Sequence, residues 1–102
     1  MRSIAFVVAL AVAGIAENAA ADPQPTAAEL KKQGDAAMQT LHYRDALKAY
    51  DQAYALGHDP AILYNRARAE QGLGDFPAAL DAIEEFVHVA PDDLKQRVPH
   101  LA

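Results

Sequence analysis

Residues 72–91, GLGDFPAALDAIEEFVHVAP, decide the fold. A glycine turn leads into one helix-length segment whose apolar residues are Ala79, Leu80, Ile83, Phe86 and Val87. Their spacing places all five on one face of a helix with 3.6 residues per turn. The stretch has a copy upstream. A step back of 33 positions pairs Phe76 with Tyr43, Ala79 with Ala46, Leu80 with Leu47 and Ile83 with Tyr50. The same step pairs Phe86 with Ala53, Val87 with Tyr54 and Asp92 with Asp59, and before the turn Leu63 with Leu30 and Ala67 with Gly34. A period of this length means stacked copies of one supersecondary unit. The fold class is therefore all-α: antiparallel helix-pair repeats, two of them, with a short C-terminal capping segment.

Outward from that stretch, turn and cap signals set the boundaries. Thr26 with Glu29 is a capping box, so a first helix starts near Ala27 and runs through Leu30, Gly34, Ala37 and Leu41. Gly34 in mid-helix costs about 1 kcal/mol against alanine, which points to a large side chain packed on it. His42, Tyr43 and Arg44 make the corner, and a second helix over 44–56 ends with Gly57 in the left-handed conformation. Asp59 and Pro60 then cap and open a third helix running to about Gln71. A fourth starts at Asp75 and Pro77 and ends before Pro91, after which Asp92 or Asp93 caps a new start over 94–98 that Pro99 interrupts. The expected divisions are an extended leader at 22–26, repeat one at 27–60, repeat two at 61–93 and a partial capping helix at 94–102. That last helix is too short to cover the final apolar face, as a repeat stack requires.

Residues 1–21 read differently. Met1 and Arg2 precede an uncharged apolar run over 4–16, and Ala19, Ala20 and Ala21 precede Asp22. Basic start, short apolar core and small residues before a cut form the plan of a secretory signal. The run falls short of the roughly 20 residues that span a bilayer. Cleavage after Ala21 would place Asp22 onward in the periplasm or outside the cell.

Composition excludes several chemistries. The formal net charge is -5 with no basic cluster, against the basic patch that nucleic-acid binding needs. There is no cysteine, and the only serine is Ser3 in the expected signal, so cysteine and serine nucleophiles are absent from the mature segment. Glu84 and His88 stand four apart on one helix face, but Asp81 and Glu85 beside them make it an acidic solvated face rather than a metal site. Gly72 and Gly74 follow no strand and lead to no Gly-Lys-Ser/Thr ending, so they form a helix-helix turn and not a phosphate loop. The expectation is a protein that is not an enzyme and takes no cofactor or metal.

The chain resembles the tetratricopeptide repeat family. In repeat two the resemblance rests on Leu63, Tyr64, Asn65, Ala67, Leu73, Gly74, Asp75, Phe76, Ala79, Ile83 and Pro91. In repeat one it rests on Leu30, Gly34, Tyr43, Ala46, Tyr50 and Ala53. The chain departs from the family at Gln33, Ala37, Arg66 and Glu70, where Leu and Tyr are usual; Arg66 and Glu70 are spaced to pair across one turn. The resemblance implies a right-handed superhelix whose first helices line a concave groove for a peptide or partner protein. Carried over, the groove residues are Lys31, Asp35, Met38 and Gln39, then Tyr64, Asn65, Arg68 and Gln71. Some members grip a C-terminal carboxylate; Lys31, Asn65 and Lys95 fit that set, while Asp35 and Pro99 do not. The implied function is capture of a helix or extended peptide, anchored by Tyr64 and Met38 with polar contacts from Lys31, Asn65 and Arg68. The alternative is a piece that completes itself by self-association, or the N-terminal part of a longer envelope protein, because three repeats are the usual minimum for a stable stack.

Overall fold

The structure is a computed structural model that describes residues 23–98. The expected signal segment and the interruption at Pro99 lie outside them. Among the described residues there are five helices and no strand: α1 (Ala27–Gln39), α2 (Tyr43–Gly57), α3 (Pro60–Gly72), α4 (Phe76–Val89) and α5 (Asp92–Arg97). None is long and apolar enough to cross a membrane. The 33-residue period survives into the fold, since α3 begins and ends 33 positions after α1, and α4 begins 33 after α2. Successive helices pack against each other, α1 on α2, α2 on α3 and α3 on α4.

Local signals account for the helix starts. Thr26 Oγ1 accepts the Glu29 N–H at 3.1 Å while Glu29 Oε1 accepts the Thr26 N–H at 2.8 Å, a complete capping box. Asp59 Oδ1 caps α3 through Ala61 N–H at 3.0 Å, and Asp75 Oδ1 caps α4 through Ala78 N–H at 3.3 Å. α5 differs from expectation, because Pro91 is its N-cap residue and neither Asp92 nor Asp93 supplies a side-chain cap.

The helix ends correct the sequence reading in two places. α1 stops at Gln39 and not at Leu41, and the corner is Thr40–Leu41–His42. There Leu41 N–H bonds Met38 C=O at 3.1 Å and His42 N–H bonds Ala37 C=O at 2.8 Å, which requires Leu41 at φ 61°. α3 ends the same way 33 positions on: Gly74 N–H bonds Gln71 C=O, Asp75 N–H bonds Glu70 C=O, and φ of Gly74 is 79°. The second correction is at the end of α2. Gly57 is still helical, and His58 takes the left-handed position at φ 52°, its ring 5.3 Å from that of Tyr54. The tyrosine ring gives the imidazole something to pack on, which a glycine could not use.

Two buried clusters share Tyr54 at their boundary. The first joins Leu30 of α1, Ala46, Tyr50 and Ala53 of α2, and Ile62 and Ala69 of α3. The second holds Leu63, Phe86 and Ala90, with Tyr64, Leu94 and Val98 packed around them. Gly34 behaves as its sequence position suggests: a Cβ added there would lie 2.5–2.9 Å from the Tyr50 ring. The glycine lets α1 and α2 close over a full aromatic side chain, whose burial contributes about 1.5–3 kcal/mol.

Candidate partner-binding groove

The first helices of the two repeats place their polar faces around a concavity of about 230 Å³. Asp35 and Met38 come to it from α1, Tyr50 from α2, and Tyr64, Asn65 and Arg68 from α3. Five of the eight residues expected in a groove therefore converge. The other three do not join them. Lys31 reaches along its own helix to Asp35, Nζ to Oδ2 at 2.8 Å, and Gln71 lines a second cleft, which shares Tyr64 and Arg68 with the first. Gln39 is exposed at the end of α1.

The electrostatics centre on Asp35. Its Oδ1 accepts the Tyr50 hydroxyl at 2.5 Å and its Oδ2 accepts Lys31. Burial first, then the hydrogen bond and the negative charge of Asp35, push the Tyr50 phenol well above its ordinary value, with Arg68 acting in the opposite sense. Tyr50 thus stays a hydrogen-bond donor at any working pH and fixes the carboxylate in place. The repeat register pairs Tyr50 with the apolar Ile83 and gives no sign of a role for its hydroxyl; a buried tyrosine's need for a polar partner was the available signal. The depression also holds the amide of half-buried Asn65, the exposed guanidinium of Arg68 and the side chain of Tyr64. Asp35 places a fixed acceptor where a bound carboxylate would need donors. Lys95, the third residue of the carboxylate-gripping set, bonds Asp92 at 3.4 Å and the Val87 carbonyl at 3.3 Å.

The four positions that depart from the expected pattern have a physical account at two. Arg66 crosses to α2, with Nε 2.8 Å from Asp51 Oδ1, though not aligned for a hydrogen bond, and Nη2 4.0 Å from Glu70 Oε2. Glu70 is 5% exposed, and its Oε1 has no hydrogen-bond partner among the described residues. Burial raises its carboxyl above the ordinary range; Arg66 opposes this, and Asp51, Asp75 and Asp81 reinforce it. α4 carries exposed Asp81, Glu84, Glu85 and His88. Among the described residues no cluster of three or more His, Cys, Asp or Glu side chains is placed to hold a metal ion.

The second concavity was not foreseen as a site. About 480 Å³ lie between α3 and α4, lined by Tyr64, Ala67, Arg68, Gln71, Ala79, Leu80 and Ile83. The apolar stripe of α4 does share one face, but Leu80 is 58% and Val87 43% exposed on it, because no helix among the described residues covers that face as α3 covers the face of α2. No protein-family model matches the chain, and no curated protein or solved structure matches it.

Proposed function

We propose that the chain is a non-enzymatic protein-interaction module of the tetratricopeptide-repeat kind, exported to the cell envelope, that captures a helix or extended peptide in the concavity between α1 and α3. The observation that supports this most is the convergence of Asp35, Met38, Tyr64, Asn65 and Arg68, residues from two helices 33 positions apart, on one depression. Its chemistry suits a polypeptide. Met38 is an adaptable apolar surface, Tyr64 an aromatic one, and Asn65 offers both a donor and an acceptor to a peptide group. Asp35 and Arg68 supply one charge of each sign, which favours a partner with a complementary pair over a uniformly charged polymer. A terminal carboxylate is the wrong occupant beside Asp35. The apolar run over residues 4–16 and the small residues before Asp22 support export, with the signal removed after Ala21.

The test is a crosslinked pull-down from an envelope extract, with the full chain as bait beside a Met38→Glu, Asn65→Ala variant. One discrete partner caught by the wild type and lost by the variant is the expected result. Equal capture by both baits would refute the groove.

A further inference from the structure

The chain contains its own template for filling the cleft between α3 and α4. In the first repeat, α2 presents Ala46, Leu47, Tyr50 and Tyr54, and α3 packs along it. α3 brings four features. Ile62, 3% exposed, and Ala69, fully buried, enter the first core cluster. Arg66 reaches Asp51 at 2.8 Å. Arg68 faces the same depression as Asp35. Gly72 accepts the Tyr43 ring where a Cβ would collide. Counted from Ile62, these stand at offsets 0, 4, 6, 7 and 10 on one helix.

In the second repeat α4 holds the equivalent positions with Phe76, Ala79, Leu80, Ile83, Glu84 and Val87, and the cleft beside them is open. α5 closes only one end: Leu94 and Val98 pack on the Leu63–Phe86–Ala90 cluster, leaving Phe76 63% and Leu80 58% exposed. Two charges also have counterparts in the template: Arg68 lines the cleft, and exposed Glu84 follows Ile83 of its lining on α4. Glu84 stands where Asp51 does, and Arg68 stands where Asp35 does, with the opposite sign.

We propose that this cleft docks one α-helix of another protein, with a large apolar residue at its first anchor, a basic residue four on to meet Glu84, an acidic residue six on to meet Arg68, and small residues seven and ten on. This is helix-in-groove recognition with charge complementarity of known sign at two points. It goes beyond the α1–α3 groove and uses different residues, although Tyr64 and Arg68 border both. The chain's own segments do not meet the pattern. The solvent face of α1 carries Ala28, Glu29, Lys32, Gln33, Ala36 and Gln39, so the α1 of a second copy brings no large apolar residue. Residues 4–16 carry no charge, so they offer no counter-charge to Glu84 or Arg68.

The probe is a fluorescent, helix-stapled peptide of residues 59–73, which carries the template, in its native form and with Arg68→Glu. Titrated against the full chain, the Arg68→Glu peptide is expected to bind about threefold more tightly, as one rim charge pair allows. Leu80→Glu in the protein should weaken it by at least about tenfold, and Gln33→Glu, on the solvent face of α1, should leave it unchanged. Phe76→Glu, at a still more exposed position, repeats the test if Leu80→Glu fails to fold. Affinity untouched by both cleft variants overturns the proposal. So does a dimer in sedimentation that Leu80→Glu disperses, which would make a second copy the occupant, or a cleft opened by removing residues 1–21, which would make that segment the occupant.

Discussion

The two repeats are built to one register and differ in what covers them. Tyr50 in α2 and Ile83 in α4 hold equivalent positions, as do Leu47 and Leu80. Tyr50 is 2% exposed and tied to Asp35, whereas Leu80 is 58% exposed. The same apolar stripe is covered along its length in one repeat and only in part in the other, where Phe86 is buried and Leu80 and Val87 are exposed, and among the described residues the difference is the helix that follows. Repeat proteins gain their stability from nearest-neighbour interfaces. Among the described residues α2 has such an interface on both sides, with α1 and α3, while α4 has a full one only with α3.

The sharpest way to break this comparison is to truncate the paired residues. Tyr50→Ala should cost about 3–5 kcal/mol in urea unfolding and Ile83→Ala no more than about 1 kcal/mol. Equal costs would mean that the second stripe is covered after all. Gly34→Ala should destabilise by about 1–3 kcal/mol despite alanine's higher helix propensity, because the new methyl meets the Tyr50 ring. The corners give a third comparison. Leu41 occupies the left-handed position that Gly74 fills in the second repeat, so Leu41→Gly should stabilise by about 1 kcal/mol. A melting temperature that falls in that variant would contradict it.

Glu70 gives the comparison a pH axis. Its folded carboxyl sits above the usual value of 4.5, so the folded state holds the proton more tightly than the unfolded one. Its contribution to stability is therefore present below pH 4.5 and is lost as pH rises through the raised folded value. Unfolding midpoints from pH 4.5 to 7 should show the wild type losing ground to Glu70→Gln as pH rises; parallel curves would remove the effect. The smallest effect belongs to Leu80→Ala, within about 0.5 kcal/mol of wild type.

Much of this was legible in the sequence. The step from Tyr43 to Phe76 and from Leu30 to Leu63 carries the helix-pair repeat, and Gly34 announced the ring packed on it. Five of the residues that the resemblance implied line one depression. Lys31 and Gln71 do not, because a side chain's final direction depends on what it can reach: Lys31 finds Asp35 one turn away, and Gln71 points into the α3–α4 cleft. The left-handed turns at Leu41 and His58 were hidden since the residue types do not favour them. Hydrogen bonds to Ala37, Met38 and Tyr54 carbonyls hold both. The exposure of Leu80 was hidden for a related reason. Periodicity shows which residues share a face, and only the packing of the next helix shows whether that face is covered.

Residue-resolved hydrogen exchange on the full chain addresses the central claim most directly, since α2 and α4 share a register and differ in cover. The amides of α4 from Ala79 to Val87 should exchange faster than those of α2 from Ala46 to Tyr54, and should slow when the Arg68→Glu form of the 59–73 peptide is added. Equal protection in the two helices, unchanged by the peptide, would contradict the account.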